Sequence, residues 1–278
     1  MKSVEIILSP KELPALAQRD LHEATCVVFD VLRATSTFVT ALHHGATAIV
    51  PVSEISEALA LRRKQPDVML GGERDGVRIG AAQAGGIDFD LGNSPREYTP
   101  EKVRGKTIVS TTTNGTRALR ACAGAQTVLA ASFLNLLATA KFIRQLRPAE
   151  ILLVCAGTRE NIAMEDVLAA GALAEILANE PSAQNLEAGR DEASVSIQQP
   201  SRGAHGVTRP TLSDSVETAL RTWREGKANL FAAVSGAENA RRLLAIPELR
   251  DDVAFCLQPD VFNLTARLGR DGSIRISI

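Results

Sequence analysis

The same series of segments occurs twice in this chain, and a repeat of that kind restricts the fold more than any single motif. A short apolar run with β-branched residues leads into a hydroxyl-rich loop, a helical pattern and Gly-Ala. A second apolar run, a Ser-started helical pattern and a third apolar run follow, ending in a Gly-containing loop with an arginine. The first copy runs from Cys26 to Arg74 and the second from about Gly105 to Arg159. Gly45-Ala46-Thr47-Ala48-Ile49-Val50 lines up with Gly124-Ala125-Gln126-Thr127-Val128-Leu129. In that register Thr35 and Thr37 match Asn114 and Thr116, and Arg74 and Arg159 each follow a third run. Gly-Ala after a helix is also an ordinary helix stop; the reading adopted is a structural duplication. It predicts an α/β fold, with two related βαβαβ halves forming largely parallel sheet in α/β/α layers. Residues 1–100 make the N-terminal half and 101–278 the C-terminal half, with a flexible insertion near 179–210. Each half would present polar loops at the carboxyl ends of its strands, with the ligand where those loops converge.

The remaining segments extend this plan. Val4 to Leu8 reads as a strand, and Ser9-Pro10-Lys11-Glu12 as a capped helix start. The Gly-, Asp- and Pro-rich stretch 75–100 reads as a long ordered loop with a mobile part around Gly80 to Gly86. Met164 to Ala178 is helical, with Glu165 and Asp166 in its first turn, where the helix dipole favours them. Helices are expected at about Ser213–Glu225, Leu230–Ala233 and Glu238–Leu244. Val253 to Leu257 reads as a strand, and Val261 to Ile278 as two edge strands in a hairpin turning at Arg270-Asp271-Gly272. The small apolar face from Val167 to Leu177 suits a homo-oligomeric interface as well as it suits a core.

Composition excludes several classes of partner. At 278 residues the chain can bury one large core or two smaller ones, and its 45% apolar and 23% charged residues are those of an ordinary globular protein. A net charge of −1 provides no polybasic surface for nucleic acid or anionic membrane. Aromatics at 4% argue against base-stacking platforms and sugar clefts. Cys26, Cys122, Cys155 and Cys256 lie far apart without a CxxC, as small buried hydrophobes in a reducing compartment. No leader-like or membrane-spanning apolar run is evident, so the expected location is the cytoplasm.

Chemistry gathers at the strand ends. Asp30 ends the apolar run Cys26–Phe29, and Arg33, Thr35, Ser36 and Thr37 follow before the helical pattern begins at Phe38. Helix amides there favour an anion, and Arg33 adds a planar fork suited to phosphate, sulfonate or carboxylate. The same residues also suit a capping hydroxyl beside an Asp30–Arg33 ion pair. Arg33, Arg74 and Arg159 together could neutralise a multiply charged small anion. Asp30, Glu73, Glu165 and Asp166 could hold a hard cation such as Mg²⁺. Thr35, Ser36, Thr112, Thr113, Asn114 and Thr116 offer donors to phosphate oxygens. This set matches metal-assisted phosphoryl transfer, in which cation and guanidinium offset charge on the equatorial oxygens. A carboxylate then orients water or attacks directly. Blander roles exist too: Glu165 and Asp166 as a helix start, Glu73–Arg74 as an ion pair, Asn93-Ser94-Pro95 as a turn. Walker, GxGxxG, GxSxG and HExxH motifs are absent. Phosphatases with an aspartyl nucleophile after a strand need a second Asp two residues on, where this chain has Leu32.

The blocks Asp30-Val31-Leu32-Arg33-Ala34-Thr35-Ser36-Thr37, Gly71-Gly72-Glu73-Arg74 and Phe89-Asp90-Leu91-Gly92-Asn93-Ser94-Pro95 occur in this order. Thr111-Thr112-Thr113-Asn114-Gly115-Thr116, Cys155-Ala156-Gly157-Thr158, Glu165-Asp166, Phe255-Cys256 and Asp260-Val261-Phe262 complete the series. In this order and extent the chain resembles the 2-phosphosulfolactate phosphatases. The resemblance implies Mg²⁺-dependent hydrolysis of (2R)-2-phospho-3-sulfolactate to 3-sulfolactate and phosphate, a step toward coenzyme M. It implies catalytic roles for Asp30, Arg33, Glu73 and Arg74. It implies substrate contacts from Thr35, Ser36, Asn93, Ser94, Thr112, Thr113, Asn114, Gly115, Thr116 and Arg159. The cation would lie among Asp30, Glu73, Glu165 and Asp166. The substrate's phosphate, sulfonate and carboxylate fit several arginines and a divalent cation at one locus. The chain departs from the family at 179–210 and in part of 77–88, which look like insertions. It departs again at Ser235–Arg242, where the family has a Ser-x-His-Gly-Arg-like run. That last departure leaves room for another small phosphorylated hydroxy acid as substrate, or for a non-catalytic anion-binding protein.

Overall fold

The structure, a computed structural model, describes residues 3–179 and 213–277. The apolar runs become β1 (Ser3–Ile7), β2 (Ala24–Phe29), β3 (Ala48–Pro51), β4 (Met69–Arg74) and β5 (Val77–Arg78). They continue as β6 (Thr107–Thr111), β7 (Thr127–Ala131), β8 (Glu150–Cys155), β9 (Thr265–Leu268) and β10 (Ile274–Ser277). All belong to one ten-stranded sheet in the order β1-β8-β2-β7-β9-β10-β3-β6-β4-β5. β1, β8, β2 and β7 run parallel to one another, as do β3, β6 and β4. The β9–β10 hairpin links the two sets by antiparallel pairing, and β5 folds back on β4.

The strand order reads symmetrically outward from the hairpin. β7 is opposite β3, β2 opposite β6, and β8 opposite β4. First strand matches first, second matches second and third matches third, as a duplication of Cys26–Arg74 and Gly105–Arg159 requires. The copies also interleave. β2 lies between β8 and β7, while β6 lies between β3 and β4. The segments on either side of residue 100 therefore share one sheet and exchange their first strands.

Alternation along the strands builds the layers. Cys26 and Val28 face a core with Phe38, Val39 and Leu42 of the Ala34–His43 helix and Leu119 of the Gly115–Ala121 helix. Val27 and Phe29 face the opposite core, with residues from the helices Leu136–Leu146, Met164–Ala178, Asp214–Gly226 and Arg250–Cys256. A smaller cluster of Val52, Ala58, Leu70, Phe89 and Val109 packs the Ile55–Lys64 helix on the other wing. The Met164–Ala178 helix is buried nearly all round, so its Val167–Leu177 face is core. Gly171 makes that possible: a Cβ there would lie 2.2 Å from the Ala219 carbonyl oxygen of the neighbouring helix.

Two expectations need correction. Val253–Leu257 is not a strand but part of the Arg250–Cys256 helix and its end. Asp252, Val253, Cys256 and Leu257 are buried while Asp251 and Ala254 are exposed, which is helical spacing. Five apolar-rich residues fit either period, and the acidic first turn, Asp251 and Asp252, favours the helix. The C-terminal hairpin does form, with its turn at Arg270–Gly272, but it is central rather than at an edge, and Ala266 and Ile274 are wholly buried. In the 75–100 stretch, residues 80–86 form successive turns, with Ala84 buried beside Ile79 and Phe89. The expected insertion at 179–210 lies outside the described residues except for Asn179. Among the described residues no helix is long and apolar enough to cross a membrane.

Candidate active site

The loop after β2 is shaped by its own hydroxyls. Thr35 Oγ1 accepts the Asp30 N–H at 3.1 Å, and Ser36 Oγ donates to the Val31 carbonyl at 2.8 Å. Both side chains are completely buried and brace the turn, Thr35 as an acceptor and Ser36 as a donor. The Leu32–Arg33 peptide is cis. The turn leaves the Asp30 carboxylate buried, with Oδ1 accepting the Ala34 N–H at 3.2 Å and the Gly115 amide also donating to it. Gly115 follows β6 and has to be glycine. A Cβ there would fall 2.8 Å from Asp30 Oδ2 and 2.8 Å from Ala34 Cβ.

Loops from four strands meet around Asp30. Glu73, at the end of β4, accepts the Thr113 N–H (3.0 Å) and hydroxyl (2.9 Å) on Oε1 and the Gly76 N–H (2.7 Å) on Oε2. It thereby ties the β4 loop to the β6 loop. Asp166 does the same for β2 and β8: Oδ1 accepts the Val31 N–H at 2.8 Å and Oδ2 the Gly157 N–H at 3.0 Å. Glu165 is buried too. Its Oε1 accepts from Asn239 Nδ2 at 3.1 Å, and its Oε2 has no hydrogen-bond partner among the described residues. A buried carboxylate oxygen left unpaired is costly and marks a place where a cation, water or substrate hydrogen bond belongs.

The arginines divide. Arg33 does not pair with Asp30. It donates to Asp252 Oδ2 at 2.8 Å and to the Gly76 carbonyl at 2.5 Å, with both ionic side chains almost fully buried. Ser94 Oγ adds a hydrogen bond to Asp252 Oδ1 at 2.7 Å. Arg74 makes no ion pair with Glu73. It donates to the Glu73 carbonyl at 2.7 Å, the Ser53 carbonyl at 3.2 Å and Thr111 Oγ1 at 3.1 Å. Arg159 lies at the surface, 3.8 Å from Glu238. The structure therefore brings Asp30, Arg33, Glu73, Thr113, Gly115, Glu165 and Asp166 together, and leaves Arg74 and Arg159 aimed elsewhere. Thr112 and Thr116 hydroxyls contact each other at 3.3 Å. Asn114 precedes the Gly115–Ala121 helix without a side-chain cap. Asn93 accepts the Thr37 hydroxyl on its main-chain carbonyl, while its side-chain Oδ1 is buried and has no partner among the described residues.

Electrostatics follow from burial. Removal from water pushes the Asp30 carboxyl up to about 7, Glu73 and Glu165 add repulsion, and the Ala34 and Gly115 amides oppose it. Burial also raises Glu165, against Asn239 and Arg242, and raises Asp166 well above the carboxylate range, helped by Glu165 and Asp30. Buried carboxylates outnumber guanidinium groups here, so the cluster calls for protons or a cation.

The donors are all oxygens, which suits a hard cation. Among the described residues no three His, Cys, Asp or Glu side chains are grouped to enclose a metal ion. Glu73 and Asp166 have both oxygens engaged. Asp30 and Glu165 retain capacity, Glu165 through its unpaired Oε2. Two carboxylates fit Mg²⁺, which keeps several waters and takes its other ligands from a phosphate.

Three participants were not singled out from sequence: Asp252, Asn239 and Arg242. Asn239 Nδ2 donates to the Leu32 carbonyl at 2.6 Å as well as to Glu165, and its Oδ1 accepts from Arg242 Nη2 at 2.5 Å. The only sequence signal was that 235–242 departs from the family run. Asp252 precedes the segment read as a strand, Val253–Leu257, and is in fact in the first turn of a helix.

Comparison with known proteins identifies the family. The family model for 2-phosphosulpholactate phosphatase matches residues 9–270. A probable 2-phosphosulfolactate phosphatase of Caldanaerobacter subterraneus subsp. tengcongensis is 35% identical over 265 residues, covering 95% of each chain. One from Thermotoga maritima is 38% identical over 244 residues, covering 88% of each, and one from Synechococcus sp. is 33% identical over 272 residues, covering 97% of each. The protein is an α/β enzyme of the phosphoric monoester hydrolase class. Within that class, the chain belongs to the 2-phosphosulfolactate phosphatase family.

Proposed function

We propose that the protein is a Mg²⁺-dependent phosphatase that hydrolyses (2R)-2-phospho-3-sulfolactate to 3-sulfolactate and phosphate, in the cytoplasm. The observation that carries this reading is the buried cluster of Asp30, Glu73, Glu165 and Asp166 where four strand-end loops meet, in a chain matched by the family almost end to end. Asp30 and Glu165 would hold the cation, which when bound supplies positive charge against the phosphoryl oxygens. Asp166 and Glu73 act one step back by fixing the β2, β4, β6 and β8 loops through main-chain amides. The Ala34 and Gly115 amides orient the Asp30 carboxylate. Its raised proton affinity lets it hold a proton at neutral pH when no cation is bound. Attack on phosphorus comes from the Asp30 side, by a water that its carboxylate orients or by the carboxylate itself. Trapping with beryllofluoride separates these routes: an adduct anywhere but on Asp30 removes the covalent one.

A second substrate has an observation in its favour. Asn239, which donates to Glu165, and Arg242, which donates to Asn239, lie in the run where the chain departs from the family. Phosphate release from (2R)-2-phospho-3-sulfolactate, 2-phospholactate and phosphoglycolate, each with Mg²⁺ and with chelator, tests the proposal. Mg²⁺-dependent release fastest from the sulfonated ester supports it. Faster release from an ester without sulfonate keeps the chemistry and replaces the substrate. No release from any ester favours an anion-binding protein of the same fold.

A further inference from the structure

We propose that Arg242 determines substrate specificity by binding one of the two acid groups that do not react, the sulfonate or the carboxylate. The proposal rests on the phosphatase reading above and names the cation that recognises the substrate's second charge. Arg33 is neutralised by Asp252 in a buried pair and spends its other arm on the Gly76 carbonyl. Arg74 is occupied by two carbonyls and a hydroxyl, and Arg159 is at the surface. Arg242 differs from all three. It is half-buried, has no ion pair among the described residues, and its Nε is shielded from solvent without a hydrogen-bond partner.

Its position is built. Asn239 is buried, and both ends of its amide are engaged at this point: Nδ2 donates to the Leu32 carbonyl and Glu165, and Oδ1 accepts from Arg242 Nη2. Arg242 is thereby fixed beside both the Asp30 loop and Glu165. On its other side is Gly76, where a Cβ would lie 3.6 Å from Arg242 Nε and 4.0 Å from Arg33 Nη2. Two guanidinium groups thus flank one glycine, and among the described residues only one of them has a carboxylate. A guanidinium with four of its five donors outside any hydrogen bond to the described residues matches a planar or tetrahedral oxyanion in a two-pronged contact. Asn239 is a positioning residue for it.

The test compares wild type, Arg242→Gln and Arg242→Lys on three esters: (2R)-2-phospho-3-sulfolactate, 2-phospholactate, which lacks the sulfonate, and O-phosphoisethionate, which lacks the carboxylate. With the full substrate, Arg242→Gln is expected to lower kcat/KM roughly 10- to 150-fold, mainly through KM, the range for one hydrogen-bonded charge. Arg242→Lys should recover part of that loss. The penalty should vanish on one truncated ester only, and the group missing from that ester is the one Arg242 binds. Equal penalties on all three esters, or none on any, would overturn the proposal while leaving the phosphatase reading intact. If Arg242→Gln does not fold, the Lys variant gives the same comparison, since it keeps the charge and loses the fork. A wild type inactive on all three esters would overturn the phosphatase reading, and this proposal with it.

Discussion

Replacing Asp30 by Asn should abolish catalysis and make the cation-free protein more stable. In the folded protein burial raises the Asp30 carboxyl from 3.8 to about 7. The native state therefore binds this proton more tightly than the unfolded chain does. The stabilising contribution of protonated Asp30 is fully present below about pH 4 and is lost as pH rises through about 7. A shift of that size corresponds to about 4 kcal/mol at pH 8. Asn carries no charge, so the variant avoids that cost. It forfeits about 1 kcal/mol because one of the Ala34 and Gly115 amides faces an NH₂ group instead of an oxygen. The net gain is about 3 kcal/mol, or about 6 °C in melting temperature for a chain of this length. The assay is thermal unfolding in chelator at pH 8 and pH 5. Asp30→Asn should melt about 6 °C above wild type at pH 8, and the two curves should nearly coincide at pH 5. An equal gap at both pH values, or a variant no more stable than wild type at pH 8, would refute the electrostatic account of the site.

Other perturbations probe the frame. Asp252→Asn leaves the Arg33 guanidinium buried without its counter-charge and should cost about 3–5 kcal/mol in urea unfolding, although Asp252 is distant in sequence from every strand-end loop. Gly115→Ala places a methyl 2.8 Å from Asp30 Oδ2; it should displace that carboxylate and lower kcat on the order of 10-fold or more while KM changes less. Mg²⁺ should raise the melting temperature of wild type at pH 8, and Glu165→Gln should weaken that response by removing the charge behind the unpaired Oε2.

Much of this architecture is visible in the chain because it is local. β-branched runs, Gly stops and the doubled order of elements are short-range signals, and they lead to the α/β layers and to Asp30 at a strand end. The exchange of β2 and β6 between the copies is not local. It depends on which strands pair, and nothing in Cys26–Phe29 or Thr107–Ser110 taken alone names the neighbour. The C-terminal hairpin was misplaced for the same reason: Ala266 and Ile274 suit an edge or a centre, and only the assembled sheet shows that both faces are covered. At the site, residue types pointed to carboxylates and arginines, but not to their partners. Arg33 meets Asp252 across a sequence separation of 219 residues, and Asn239 meets Leu32 across 207. The Ser36 hydroxyl, attractive as a phosphate donor, gives its hydrogen to the turn that presents Asp30, and Thr35 Oγ1 braces the same turn as an acceptor.

The most direct test of the central claim, that the cluster around Asp30 is a hydrolytic centre for a small polyanionic phosphate ester, is phosphate release from (2R)-2-phospho-3-sulfolactate by wild type and Asp30→Asn side by side with Mg²⁺. The account predicts steady release by wild type, abolished by chelator, and none by a variant that is folded and still unfolds cooperatively. Release by the folded variant at the wild-type rate would contradict it.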